Sequence, residues 1–101
     1  MRFVSETRAY KKDSQHEERG KYRFVIRDEL PDVIATLAAD QPLPAKYRDH
    51  MLTGNWAGHG ECHLKPDLLL VYMKTGDTTD AEELSGELRL VRLGSHAEIF
   101  G

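Results

Sequence analysis

The run Leu68-Leu69-Leu70-Val71-Tyr72 decides how this chain folds, because five successive largely apolar side chains leave no polar face for a half-exposed strand. Such a strand belongs in the middle of a sheet, covered on both sides. Working outward, strand signals run from Trp56 to Leu64, from Leu68 to Lys74 and from Leu88 to Leu93, with Lys65-Pro66-Asp67 as the tight turn between the first two. The connection from Thr75 to Gly86 is long, acidic and bounded by glycine, and reads as a solvated hairpin extension.

Upstream, Met1 to Ser5 alternates like a short strand, and Ser5 is placed to cap a helix running through Tyr10, Lys11 and Lys12. That helix has few apolar positions, Ala9 and Tyr10, so it should lay one thin stripe on the sheet and keep a broad solvated face. Tyr22, Val25, Ile26, Leu30, Val33, Ile34 and Leu37 follow at helical spacing, although Tyr22 to Ile26 alone could pass for a strand. Pro31 suits a first helical turn and sets a second helix at about Leu30 to Ala39, which Gln41-Pro42-Leu43-Pro44 ends. The order predicts an α+β fold, a helical hairpin packed on a twisted, mainly antiparallel four-stranded sheet.

A chain of 101 residues with 40% hydrophobic and 31% charged content is expected to form one domain over residues 1–101, with any site in a shallow groove. No apolar run is long enough to span a membrane, and Met1-Arg2-Phe3-Val4-Ser5-Glu6 lacks the pattern of a secretory signal. Cys62 has no second thiol for a disulfide or a structural zinc site. The expectation is a cytoplasmic protein with no membrane association. Net charge is −3, which speaks against nucleic acid until its distribution is considered. Asp77, Asp80, Glu82, Glu83 and Glu87 lie in one segment without a base, and the remainder of the chain carries +2.

Three histidines stand at the ends of these short elements, in Tyr47-Arg48-Asp49-His50, Glu61-Cys62-His63 and Gly94-Ser95-His96. Imidazole both takes and gives a proton near neutral pH, so the set points to acid–base chemistry. Each has a plainer reading: His50 as a surface side chain, Asp67 as a turn residue, His96 as part of the first turn of a helix capped by Ser95. Arg92 shares a face with Leu88 and Leu90 by strand alternation, so its charge must meet an anion, such as a phosphate or a protein carboxylate, or open to solvent. His59, Glu61 and His63 share one strand face and could be read as metal ligands, but no fourth ligand is evident, and no metal is expected. Cys62, on the other face, reads as a buried apolar residue, and Trp56 as core.

Three blocks carry a resemblance. Leu43-Pro44, Tyr47, Asp49-His50, Leu52, Gly54-Asn55-Trp56 and Gly58 form the first, and Glu61-Cys62-His63, Pro66-Asp67, Leu69-Leu70 and Tyr72 the second. Leu90, Arg92, Gly94-Ser95-His96 and Phe100 complete it. In order, spacing and identity, residues 42–101 resemble the YafQ branch of the RelE-type bacterial toxins. The resemblance implies the RelE-like fold and a ribosome-dependent endoribonuclease that cuts mRNA with the RNA's own 2′-hydroxyl as nucleophile, without metal or cofactor. It implies a cognate antitoxin, the ribosome and mRNA as partners, and operator DNA only through the antitoxin.

By the same resemblance His50, His63, His96 and Asp67 are catalytic. The expected division has His50 or His63 as base, His96 as acid and Asp67 orienting a histidine. Arg92 would steady the phosphate, and Phe100 would stack on a base. Lys46, Arg48 and Lys65, with Lys74, border the histidines and could contact RNA phosphates. The chain departs from the family pattern at His59, Gly60 and Leu68, where an aromatic, an arginine and a second aromatic are common. The expectation is a groove poorer in phosphate and base contacts, with altered codon preference. Two other classes stay open: a non-catalytic ParE-like inhibitor of DNA gyrase, which would not need the histidines, and a small metal-binding or regulatory module.

Overall fold

In the computed structural model, which describes residues 1–76 and 86–101, strand β4 (Leu68–Gly76) lies at the middle of a five-stranded sheet. Its neighbours are β3 (His59–Lys65) and β5 (Gly86–Gly94), both antiparallel to it. β1 (Phe3–Glu6) joins the outside of β5 in parallel, and the two-residue β2 (His50–Met51) joins the outside of β3. The sheet is therefore mainly antiparallel as expected, with five strands rather than four. Two residues of β2 are too few to leave an alternation that a sequence reading could detect. The acidic extension expected between Thr75 and Gly86 falls largely outside the described residues.

Both faces of β4 are covered, as its apolar run requires. Leu68, Leu70 and Tyr72 join the main core with Leu88, Leu90, Leu93, Cys62 and Leu64, beneath helices α1 (Arg8–Glu18) and α2 (Leu30–Ala38). Leu69 and Val71 point the other way and pack with Ile99, Leu52, Trp56 and Phe100 in a smaller cluster. Burying each leucine stabilises by about 1.5–3 kcal/mol, so this strand alone anchors both layers. Trp56, expected in the core, lies half-buried in the smaller cluster, in a 3₁₀ turn before β3 begins at His59.

Helix α1 buries only Tyr10 and Glu17, so its stripe is thin as expected, but Ala9, expected in it, is exposed. Its cap is Thr7, two residues beyond the expected Ser5, with the Tyr10 amide donating to Thr7 Oγ1 at 3.0 Å. A π-helical turn over Val25–Glu29 leads into α2, with Pro31 in the first turn of that helix. Strand β5 carries an irregularity that alternation does not foresee. Leu90 pairs with Tyr72 and Arg92 with Val71, leaving Val91 as an extra residue. Leu90 and Leu93 consequently both enter the main core, and Arg92 is taken out of the apolar row in which period-two counting places it.

Two departures from the family pattern acquire a different meaning. Leu68 is 0% exposed in the main core, so it leaves no gap in a surface groove. Gly60 faces the same core: a Cβ there would lie 2.4 Å from Tyr72 Cζ. The expected deficit at these two positions is therefore not a property of the groove. Glycine makes room for the Tyr72 ring, whose hydroxyl donates to Asp49 and whose burial raises its pKa. Gly60→Ala is expected to lower unfolding free energy by about 1–3 kcal/mol, as overpacking does, and to cost clearly less in a Tyr72→Ala background. Urea unfolding of the four proteins measures both effects.

Candidate active site

Strand β3 presents His59, Glu61 and His63 on the face away from the helices, because Cys62 and Leu64 occupy the core face. β2 pairs with it so that His50 stands directly opposite Glu61. The register brings His50 Nε2 to 3.0 Å and His63 Nε2 to 3.7 Å from the same carboxylate oxygen, Glu61 Oε2. The two imidazoles lie 6.0 Å apart between centroids and near parallel. Glu61 is only 5% exposed, and its other oxygen, Oε1, is buried with no hydrogen-bond partner among the described residues.

Arg48 organises the outer side of this cluster. It ends a 3₁₀ turn over Ala45–Tyr47 in the left-handed conformation, φ 47° and ψ 46°. Its carbonyl oxygen then meets His50 Nδ1 at 2.7 Å, while its guanidinium donates to His63 Nδ1 at 3.3 Å. An accepting Nδ1 leaves the His63 proton on Nε2, toward Glu61. Burial, then the Arg48 charge, pulls the His63 pKa below the ordinary histidine value, with Glu61 opposing. Cys62, in the core behind the site, has its thiol pushed up to about 12 by burial and is inert, as expected.

The remaining wall comes from helix α3 (His96–Phe100). A capping box starts it: the Glu98 amide donates to Ser95 Oγ at 3.1 Å, and the Ser95 amide donates to Glu98 Oε1 at 2.8 Å. Ile99 is buried in the smaller cluster, which leaves His96 exposed and Phe100 half-buried at the helix end. Phe100 lies 4.9 Å from the His96 ring and meets Trp56 edge-on at 5.2 Å. Glu61, His96, Trp56, Phe100, Leu52 and Thr53 line one shallow cleft of about 220 Å³.

Of the residues picked out by sequence, the structure gathers His50 and His63 around Glu61 and sets His96 and Phe100 across from them. Arg48 touches the cluster directly. Lys46 and Lys65 line an adjoining cleft with Arg48 and His63, where Lys65 Nζ is 3.4 Å from Glu29 Oε2 and Lys46 lies over the Tyr47 ring. Asp67 is exposed in the β3–β4 turn and makes no hydrogen bond or ion pair among the described residues. Arg92 is held by Asp13 of α1 at 2.7 Å, the carboxylate option its burial left open, and that bond raises its pKa.

Sequence reasoning underrated Glu61. Strand alternation puts it beside His63, but its contact with His50 depends on pairing with β2. The same register replaces the expected trio of possible metal ligands. His59 instead has Nδ1 3.2 Å from the Trp56 carbonyl, whereas His50, Glu61 and His63 each offer a donor within 4.8 Å of the others and could hold a cation.

The fold is that of the small RelE-type bacterial toxins. The family described as the bacterial toxin of type II toxin–antitoxin systems, YafQ, matches residues 2–101, and the chain belongs to it. It is 42% identical over 60 residues to the mRNA interferase toxin YafQ of Escherichia coli strain K12. That match takes in 59% of this chain and about half, 55%, of the relative. A metal-bound toxin from Helicobacter pylori is 38% identical, with a TM-score of 0.73 over 99% of this chain and 100% of its own. The toxin in an E. coli DinJ–YafQ toxin–antitoxin complex is 32% identical, with a TM-score of 0.75 over 99% and 98% of the two chains.

The Arg48 contact makes a pH prediction. Because folding lowers the His63 pKa, the unfolded chain takes up that proton first as pH falls. The stability contributed is complete above the ordinary histidine value and is lost as pH drops through and below it. Arg48→Ala is expected to move the His63 midpoint upward in an NMR titration and to reduce this acid loss. An unchanged or lower midpoint would contradict the assignment of Arg48.

Proposed function

We propose that this protein is a ribosome-dependent mRNA endoribonuclease, the toxin of a type II toxin–antitoxin pair, acting in the cytoplasm. The observation that carries the reading is Glu61 Oε1, a buried carboxylate oxygen without a partner among the described residues, on the wall of a cleft that also holds His96 and two aromatic rings. A carboxylate can accept a proton, and an imidazole across the cleft can give one. The E. coli relative named an mRNA interferase, and the DinJ–YafQ complex, support the activity and an antitoxin partner.

In this reading Glu61, held by His50, takes the proton from the RNA 2′-hydroxyl as that oxygen bonds to the adjacent phosphorus. The bond from phosphorus to the 5′-oxygen breaks, and His96 gives that oxygen a proton. The products are a cyclic phosphate and a free 5′-hydroxyl. His63, with Nδ1 accepting from Arg48, acts with that arginine beside the phosphate rather than as the base. Phe100 and Trp56 offer ring faces for a displaced base. Lys46 and Lys65 extend the positive side of the groove toward RNA, and Arg92 reaches phosphate only by releasing Asp13.

Glu61→Gln and His96→Ala are each expected to slow ribosome-bound mRNA cleavage by about 100-fold or more, and Asp67→Asn by less than Glu61→Gln. Mapping of cyclic-phosphate ends reads the rates, and full cleavage by Glu61→Gln would remove this assignment. A cation held by His50, Glu61 and His63 would occupy the proton-transfer groups. Added zinc should therefore inhibit cleavage and a chelator should restore it.

A further inference from the structure

The end of α1 and the adjoining turn of α3 hold a second set of donors that the groove does not use. His16 and Glu17 lie in the last turn of α1, and Glu98 is the third residue of α3. One donor atom from each lies within 4.8 Å of the other two. Glu17 is 8% exposed, yet its carboxylate has no hydrogen bond or ion pair among the described residues. A carboxylate so placed is costly unless a positive charge or a proton compensates it.

The neighbouring cations compensate only in part: His16 and Lys21 act on Glu17 through space, and neither forms an ion pair with it among the described residues. Arg92, the nearest guanidinium in the same cleft, is committed to Asp13, which also accepts from the Leu93 amide at 3.0 Å. Lys12 lines the cleft and forms no ion pair among the described residues. Glu98 uses Oε1 for the Ser95 amide, which leaves Oε2 uncommitted and adds a second negative charge facing Glu17.

We propose that His16, Glu17 and Glu98 bind a divalent transition ion of the zinc type, fastening α3 to α1. One imidazole and two carboxylates form a borderline nitrogen–oxygen donor set, which suits zinc better than the harder calcium or magnesium. Tetrahedral ligands about 2.0–2.1 Å from zinc stand about 3.3 Å apart, so closing the present spacing takes side-chain movement of about 1.5 Å. His16 and Glu98 are exposed and able to make it. Three protein ligands leave a position for water. The ion would hold in place the short helix that carries His96 and Phe100, whatever reaction those residues serve.

The test is calorimetric titration with zinc alone, in the full chain carrying His50→Ala and His63→Ala so that the groove donors are removed. That protein is expected to bind one zinc, to melt at a higher temperature with it, and to show zinc-dependent amide shifts over residues 95–101. Adding His16→Ala or Glu98→Gln should weaken binding by at least about tenfold, since loss of a residue that merely supports a ligand already costs that much. Glu98→Gln keeps an acceptor for the Ser95 amide, so it remains informative if Glu17→Gln does not fold. Absence of zinc binding in the His50/His63 variant would overturn the proposal, as would affinity unchanged by both His16→Ala and Glu98→Gln.

Discussion

Burial of β4 on both faces is the constraint from which the rest of the molecule follows. One face needs a helical layer to keep Leu68, Leu70 and Tyr72 from water, and α1 and α2 provide it. The other face has only Leu69 and Val71 to cover, and Ile99 and Phe100 of a five-residue helix, with Leu52 and Trp56, are enough. This imbalance creates the groove. A full helical layer on that side would bury Glu61, His50 and His63 completely, whereas a partial one leaves them a rim.

On that rim the chemistry depends on placing charge next to apolar surface. Val71 and Glu61 are direct neighbours across β3 and β4, so a wholly buried valine flanks the carboxylate while His50 faces it on the other strand. Water is kept from the acid on one side and replaced by imidazole on the other. The left-handed turn at Arg48 fixes both imidazoles, with its carbonyl at His50 and its guanidinium at His63. A backbone conformation uncommon outside glycine therefore sits where the site needs it.

Much of this was legible in the residues. The apolar run marked the central strand, spacing marked the helices, and alternation separated Cys62 from His63. Interactions between strands were not legible, because pairing partners are absent from a linear pattern. The opposition of His50 and Glu61 arises from β2, two residues long, and Arg92 leaves its apolar row through one extra residue in β5. Gly60 shows the same limit: a family comparison marks it as a missing arginine, while the fold uses it as space for a tyrosine ring. Asp67 was singled out by the resemblance and reads on its own as a turn residue, and Glu61, which strand pairing alone brings between the histidines, was not singled out as catalytic.

The outer edge of β5 carries one more consequence. β1 pairs with it only as far as Leu90, and beyond that point α1 takes over with side chains: Thr7 Oγ1 donates to the Val91 carbonyl at 2.7 Å, and Asp13 accepts from the Leu93 amide. An open edge of this kind is normally a place where another polypeptide can add a strand and begin to aggregate. Here a helix closes it with a hydroxyl and a carboxylate, groups that cannot template a further strand. The chain is thus guarded against self-association beside its most apolar segment, and a partner seeking strand-by-strand pairing is turned toward the outer edges of β1 or β2 instead.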